Sequence, residues 1–201
     1  MDGGDLLRAA AGLVGDLRGD EIEAAADVLF ASWEAGGVVL SCGNGGSAST
    51  ASHFAADLGK LTIVGDATRF KTVCLDDNAS GVTAWSNDAG FASVYAEQAA
   101  AWLDPTATVV AFSVHGGALD GSVSSNLSRV CEAAIRCGSS VIAVTGFDGG
   151  FLGRNSTVHV NVPTPQEPLA TPLVESLHVL VQHALCLSVR CRILEREAAA
   201  T

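Results

Sequence analysis

The sequence predicts an α/β protein built on a parallel sheet, and three observations carry that prediction. An apolar, β-branched run at residues 38–41 has no helical period and passes through Gly43, Asn44, Gly45 and Gly46 into a helix. The same order of strand, glycine, serine and helix returns across residues 107–137. Short apolar runs alternate with stretches of helical period along the rest of the chain, which is how crossover connections between parallel strands read in sequence.

Taken in order, residues 6–17 and 21–33 carry apolar side chains at helical spacing, separated by Gly19 and Asp20 and stopped by Gly36 and Gly37. Their alanine-rich faces suit packing either on the sheet or against a second subunit. Residues 38–41 form the first strand. The loop at 61–70 is punctuated by Gly65 and Asp66, and the second strand, 71–75, ends at Asp76, Asp77 and Asn78. A helix-like stretch reaches Trp85, after which Asn87, Asp88, Ala89 and Gly90 read as a turn before a helix at 91–102. The third strand, 107–112, runs into Ser113, His115 and a glycine- and serine-rich loop before a helix at 126–137. Residues 140–145 and 157–162 are the fourth and fifth strands, the fifth closed by Pro163 and Pro165, and a long helix at 172–194 follows.

The stretch from Val38 to Lys60 holds the chemistry. Gly43 to Gly46 turn the backbone sharply and bare its N–H groups, and Ser47 stands where the helix is capped. A helix N-terminus preceded by free amides attracts an anion such as phosphate without a lysine. On the same helix His53 and Asp57 are four residues apart and share a face, where they can grip a metal ion or share a proton. At the second such unit, Ser113, Ser122, Ser124 and Ser125 offer hydroxyls either to a phosphate or to the loop and its helix cap.

Length and composition bound the function. A chain of 201 residues fits one domain, with N-terminal helices over 1–35, a sheet core over 36–165 and a C-terminal helix over 172–196. The formal net charge is −11 with two lysines, Lys60 and Lys71, which argues against a nucleic-acid partner. Mean hydropathy is +0.34, high for a soluble chain, yet no run of about 18 apolar residues suggests a membrane span, so apolar surface hidden in an oligomer is expected instead. The six cysteines form no CxxC pair and read as small core residues, and the N-terminus lacks the basic start of a signal peptide. A reduced, cytoplasmic protein is expected.

The last helix carries Glu175, His178, Gln182 and His183. Glu175 and His183 are eight residues apart, about 12 Å along an ideal axis, so one straight helix cannot bring both to one ion. Either one of them serves a given site, or the helix bends, or the site draws them from different subunits.

The segments SCGNGGSASTASHFAADL, SNDAG at 86–90, TGFDGG at 145–150 and ESLHVLVQH resemble, in that order and over nearly the whole chain, the sugar isomerase (SIS) domain proteins of the phosphoheptose isomerase type. The resemblance implies a three-layer α/β/α sandwich with a five-stranded parallel sheet, the N-terminal helices and long C-terminal helix at subunit interfaces of a homotetramer. It implies conversion of sedoheptulose 7-phosphate into D-glycero-D-manno-heptose 7-phosphate through an enediol, with a divalent metal, zinc foremost, and no nucleotide cofactor. By position, Asn44, Gly45, Gly46, Ser47, Asn87, Asp88, Ser113, Ser124 and Glu175 contact the sugar phosphate. His53, Asp57, Glu175 and His183 fall on the metal ligands, with Asp57 and His183 as the acid/base pair. Three departures stand out: Asp57 replaces a glutamate, Glu175 replaces a glutamine, and SVHGGALDGSVSSN replaces the STSGNS phosphate loop.

Two rival readings follow from the same residues. Gly43, Gly45 and Ala48 fit a dinucleotide fingerprint, but 28 residues separate Ala48 from Asp76 where about 20 are usual, and the histidines of the last helix go unused. A non-catalytic SIS protein that senses sugar phosphates or scaffolds partners is the other, and the altered loop with Asp57 is what suggests it.

Overall fold

The structure is a computed structural model and describes residues 2–164 and 168–200. Five strands, β1 (Val38–Cys42), β2 (Lys71–Cys74), β3 (Thr108–Ser113), β4 (Ser140–Thr145) and β5 (Val158–Asn161), form one sheet in the order β2-β1-β3-β4-β5. Every pairing is parallel. The helices are α1 (Gly3–Val14), α2 (Gly19–Glu34), α3 (Gly46–Leu61), α4 (Ala79–Ala89), α5 (Val94–Ala99), α6 (Ser125–Arg136), α7 (Gly150–Asn155) and α8 (Ala170–Ala199). Pro165, expected to close the fifth strand, lies outside the described residues.

Alternation along the strands sorts the helices into two layers. Val110 and Phe112 of β3, with Ile142 and Val144 of β4, join Leu29 of α2, Phe54 and Leu58 of α3, and Leu177, Val181 and Leu185 of α8. Val109, Ala111, Val141 and Ala143 face the opposite way, onto Val94 and Ala99 of α5, Leu127 and Val130 of α6, and Leu152 of α7. The sheet is therefore covered on both faces, the expected three-layer sandwich. Each fully buried Leu, Ile or Phe contributes roughly 1.5–3 kcal/mol to holding these layers together.

Winding begins at β1, moves outward to β2, then returns across to β3 on the other side. The reversal falls between the C-terminal ends of β1 and β3, at Cys42 and Ser113, and opens a crevice there.

The α8 helix, 30 residues long, outruns its expected span. Leu173, Leu177, Val181, Leu185, Val189 and Ile193 recur every four residues on its buried face. By length and composition it is apolar enough to cross a membrane, which corrects the expectation that no run is, but half of its most apolar stretch is buried within the protein. Arg192 ties it to α2 through Glu23 at 2.8 Å and Asp27 at 2.7 Å.

Three local expectations are corrected. Asn87 and Asp88 are not in a turn but in the last turn of α4, which Asn78 caps by accepting from the Gly81 N–H and which Gly90, with φ 81°, ends. The helix expected at 91–102 is a single 3₁₀ turn, Phe91–Ser93, followed by α5. The short α7 lacks any helical period long enough to read in sequence. Of the six cysteines, Cys137 and Cys191 are exposed rather than in the core, and all six are free thiols.

Candidate active site

The turn after β1 explains its glycines. A Cβ on Gly43 would lie 2.4 Å from the Ser47 carbonyl carbon and one on Gly46 2.5 Å from the Glu175 carboxylate, so both positions exclude a side chain where the backbone doubles into α3. Asn44 points inward. Its Nδ2 donates to Asn126 Oδ1 at 3.0 Å, and Asn126 Nδ2 donates back to Asn44 Oδ1 at 2.8 Å. The paired amides join the start of α3 to the start of α6, across the crevice.

Asn44, Ser47, Ser113, Val114, His115 and Ser124 line a cleft of about 90 Å³ between those two helix starts. Ser47 is buried, Ser113 Oγ accepts the Gly116 N–H at 3.0 Å, and Ser124, in the left-handed region at φ 42°, makes no capping bond with its side chain. The loop carrying His115 is anchored by Phe151 N–H to Gly117 O at 3.0 Å and Leu152 N–H to Gly116 O at 2.8 Å, and the His115 ring packs at a tilt against Phe147 of the TGFDGG turn, centroids 4.5 Å apart. Ser122, one of the loop serines, is engaged with Asp120 at 2.5 Å.

About two turns along α3 the second cluster forms. His53 Nε2 is 3.1 Å from Asp57 Oδ2, and His183 Nε2, from α8, is 3.2 Å from the same oxygen. The two rings stand nearly perpendicular with centroids 5.0 Å apart. One ligand atom from each of the three residues can be chosen so that all lie within 4.8 Å of one another. No lysine or arginine pairs with Asp57 among the described residues; its charged partners are the two imidazoles. Two nitrogen donors and an oxygen so close together fit a divalent cation.

Gln182 was not among the expected site residues. Fully buried, its amide nitrogen lies 3.3 Å from Asp57 Oδ2 and 3.5 Å from His53 Nδ1. It is adjacent in sequence to His183, which was the available signal. Glu175 does not join the trio: its carboxylate rests against Gly46, in a cleft of about 410 Å³ shared with Ser49, Thr50 and His53. The helix spacing accounts for this, because a straight α8 delivers only His183 to Asp57. Asn87 and Asp88 are exposed, hydrogen-bonded to each other at 2.8 Å, and line neither cleft. His178 is buried against Phe112, its ring nitrogens have no hydrogen-bond partner, and burial lowers its pKa to about 4.

Asp76, the acid of the dinucleotide reading, turns inward. Its Oδ2 accepts the Gly43 N–H at 3.1 Å and its Oδ1 is in hydrogen-bond contact with the Tyr95 hydroxyl, while burial raises its pKa.

A doubly wound parallel sheet with its crevice at the β1/β3 reversal, lined by two helix starts, and with a His–Asp–His cluster further along α3, is the architecture of a small-molecule site. The chain belongs to the SIS-domain family, phosphoheptose isomerase type: the SIS domain model matches residues 10–146. It is 60% identical over 184 residues to the lincomycin biosynthesis protein LmbN of Streptomyces lincolnensis, spanning 92% of this chain and 67% of that one. It is 37% identical over 165 residues to the phosphoheptose isomerase of Rhodospirillum rubrum, spanning 82% of each. Among solved structures, phosphoheptose isomerase GmhA from Neisseria gonorrhoeae superposes with a TM-score of 0.79 at 30% identity, over 92% of this chain and 93% of that one.

Proposed function

We propose that this protein, folded as one SIS domain over 1–201, isomerises sedoheptulose 7-phosphate to D-glycero-D-manno-heptose 7-phosphate. The observation that carries the reading is the convergence of His53, Asp57 and His183 about two helical turns from the glycine-rich turn. Substrate phosphate sits between the starts of α3 and α6, with Ser47, Ser113 and Ser124, where two helix dipoles and free amides compensate its charge. Asn44, Gly45, Gly46 and Glu175 hold the sugar along the turn. Asn87 and Asp88, exposed on α4, reach substrate from a neighbouring subunit of a homotetramer, consistent with the exposed Leu180, Leu187 and Leu194 on α8.

Asp57 removes the proton beside the carbonyl and His183 returns one to the neighbouring carbon, through an enediol. His53, Asp57 and His183 are the donors for zinc or another divalent ion. When bound, such an ion supplies Lewis-acid polarisation of the sugar oxygens. A single Nε2 lone pair cannot ligate and accept a proton together, so His183 moves protons only while off the ion. The expected location is the cytoplasm.

A second reading keeps the reaction and changes the sugar. The relative at 60% identity is named for lincomycin biosynthesis, and the His115 loop departs from the phosphate loop of the resembled family, so another ketose phosphate is the alternative substrate. NMR in D₂O with purified protein and each sugar phosphate tests both. Deuterium entering beside the carbonyl with sedoheptulose 7-phosphate supports the first reading. Exchange with another sugar alone supports the second, and no exchange with any, metal supplied, leaves a sugar-phosphate-binding protein.

A further inference from the structure

We propose that Asp76 is held as a neutral carboxylic acid and, with Tyr95, fixes the backbone of Gly43 and the side chain of Asn44 for the sugar phosphate. The positioning half rests on the isomerase reading above; the protonation half does not.

The Tyr95 hydroxyl is in hydrogen-bond contact with both Gly43 O and Asp76 Oδ1, and lies 3.4 Å from Asn44 Oδ1. That last atom is an oxygen: the Leu127 N–H donates to Asn126 Oδ1 at 3.0 Å, so Asn126 Oδ1 accepts the Asn44 amide, and Asn44 turns its own oxygen to Asn126 Nδ2 and Tyr95. Three oxygens thus surround a phenol with one proton. Gly43 O has none to give. With Asp76 ionised, one of the two close oxygen pairs would meet with no proton between them, a buried repulsion. With Asp76 protonated, the ring closes: Gly43 N–H donates to Asp76 Oδ2, Asp76 O–H donates to Tyr95 Oη, and Tyr95 O–H donates to Gly43 O.

The surroundings agree. Desolvation raises the Asp76 pKa and outweighs the hydrogen bonds from Tyr95, the Gly43 N–H and Cys74, which lower it, while burial pushes the Tyr95 phenol up, so it is not the group that ionises. Cys42, Cys74 and Asp77 are the other titratable groups bearing on Asp76, and none can supply positive charge. The Cys74 thiol lies 3.8 Å from Asp76 Oδ2. Clamped at both its N–H and its carbonyl, Gly43 cannot rotate, and the paired amides pass that rigidity to the start of α6.

Asparagine mimics the neutral acid, with an oxygen for Gly43 N–H and an N–H for Tyr95. Difference infrared spectra of wild type against Asp76→Asn at neutral pH are expected to contain the carbonyl stretch of an un-ionised carboxylic acid, lost in the variant; carboxylate bands in its place overturn the protonation. With sedoheptulose 7-phosphate, Asp76→Asn is expected to keep kcat/KM within about threefold, while Tyr95→Phe raises KM about tenfold with kcat nearly unchanged. A larger loss in Asp76→Asn than in Tyr95→Phe, with melting temperatures equal to wild type, overturns the positioning role. Absence of turnover by wild type removes the isomerase reading and the positioning with it, and the infrared band still decides the protonation.

Discussion

His183 and Asp57 lie 126 positions apart in the chain, yet His183 Nε2 sits 3.2 Å from Asp57 Oδ2, the oxygen His53 already touches from one turn away on the same helix. Groups that act as a unit fail as a unit. Asp57→Asn and His183→Ala are each expected to lower kcat by about 10²–10⁴, and the double variant to fall little further than the worse single. Independent, multiplying losses in steady-state kinetics would show that the two do not share a step.

The same cluster predicts metal linkage. Chelation is expected to abolish isomerisation and lower the melting temperature, and zinc at about 100 times its Kd to restore roughly 2.7 kcal/mol of stability. His53→Ala should lose that thermal response. A melting temperature indifferent to chelator and metal in the wild type would count against a metal site.

Two glycines in one turn should fail differently. The Cβ of Gly43→Ala meets the backbone of Ser47, which cannot move without unwinding the start of α3, so a stability loss of about 2–4 kcal/mol is expected by denaturant unfolding. The Cβ of Gly46→Ala meets the mobile end of Glu175, so its cost should appear as a raised KM with stability within about 1 kcal/mol of wild type.

His178 sets an acid limit on stability. Its folded pKa of about 4 lies below the 6.5 of an exposed histidine, so between those values the unfolded chain binds a proton that the folded one does not. Its contribution is full above about pH 6.5 and is lost as pH falls towards 4, on the order of 3 kcal/mol in all. In His178→Phe, unfolding free energy measured over that range should lose this slope.

Local periodicity made much of this legible. The five strands were each readable from short apolar runs, and β4 matches its expected limits residue for residue, because its six positions are β-branched or small and bounded by serine and glycine. Composition misled where polarity and helix coexist: Ser86, Asn87 and Asp88 look like a turn, but the Asn78 cap carries α4 through them to Gly90.

What the sequence determined by itself is whatever lies within a turn or two of chain: the strand-to-glycine-to-helix unit, and the i, i+4 pairing of His53 with Asp57, which helical geometry imposes without help. Tertiary structure decided which distant partners meet them. The seating of α8 against α3 selects His183 over Glu175, buries Gln182 beside Asp57, and leaves Glu175 against Gly46. The sheet order brings Asn126 to Asn44 and Tyr95 to Gly43. These pairings depend on how whole layers pack, and an interaction between residues 50 to 130 apart leaves no period in the sequence from which to read it.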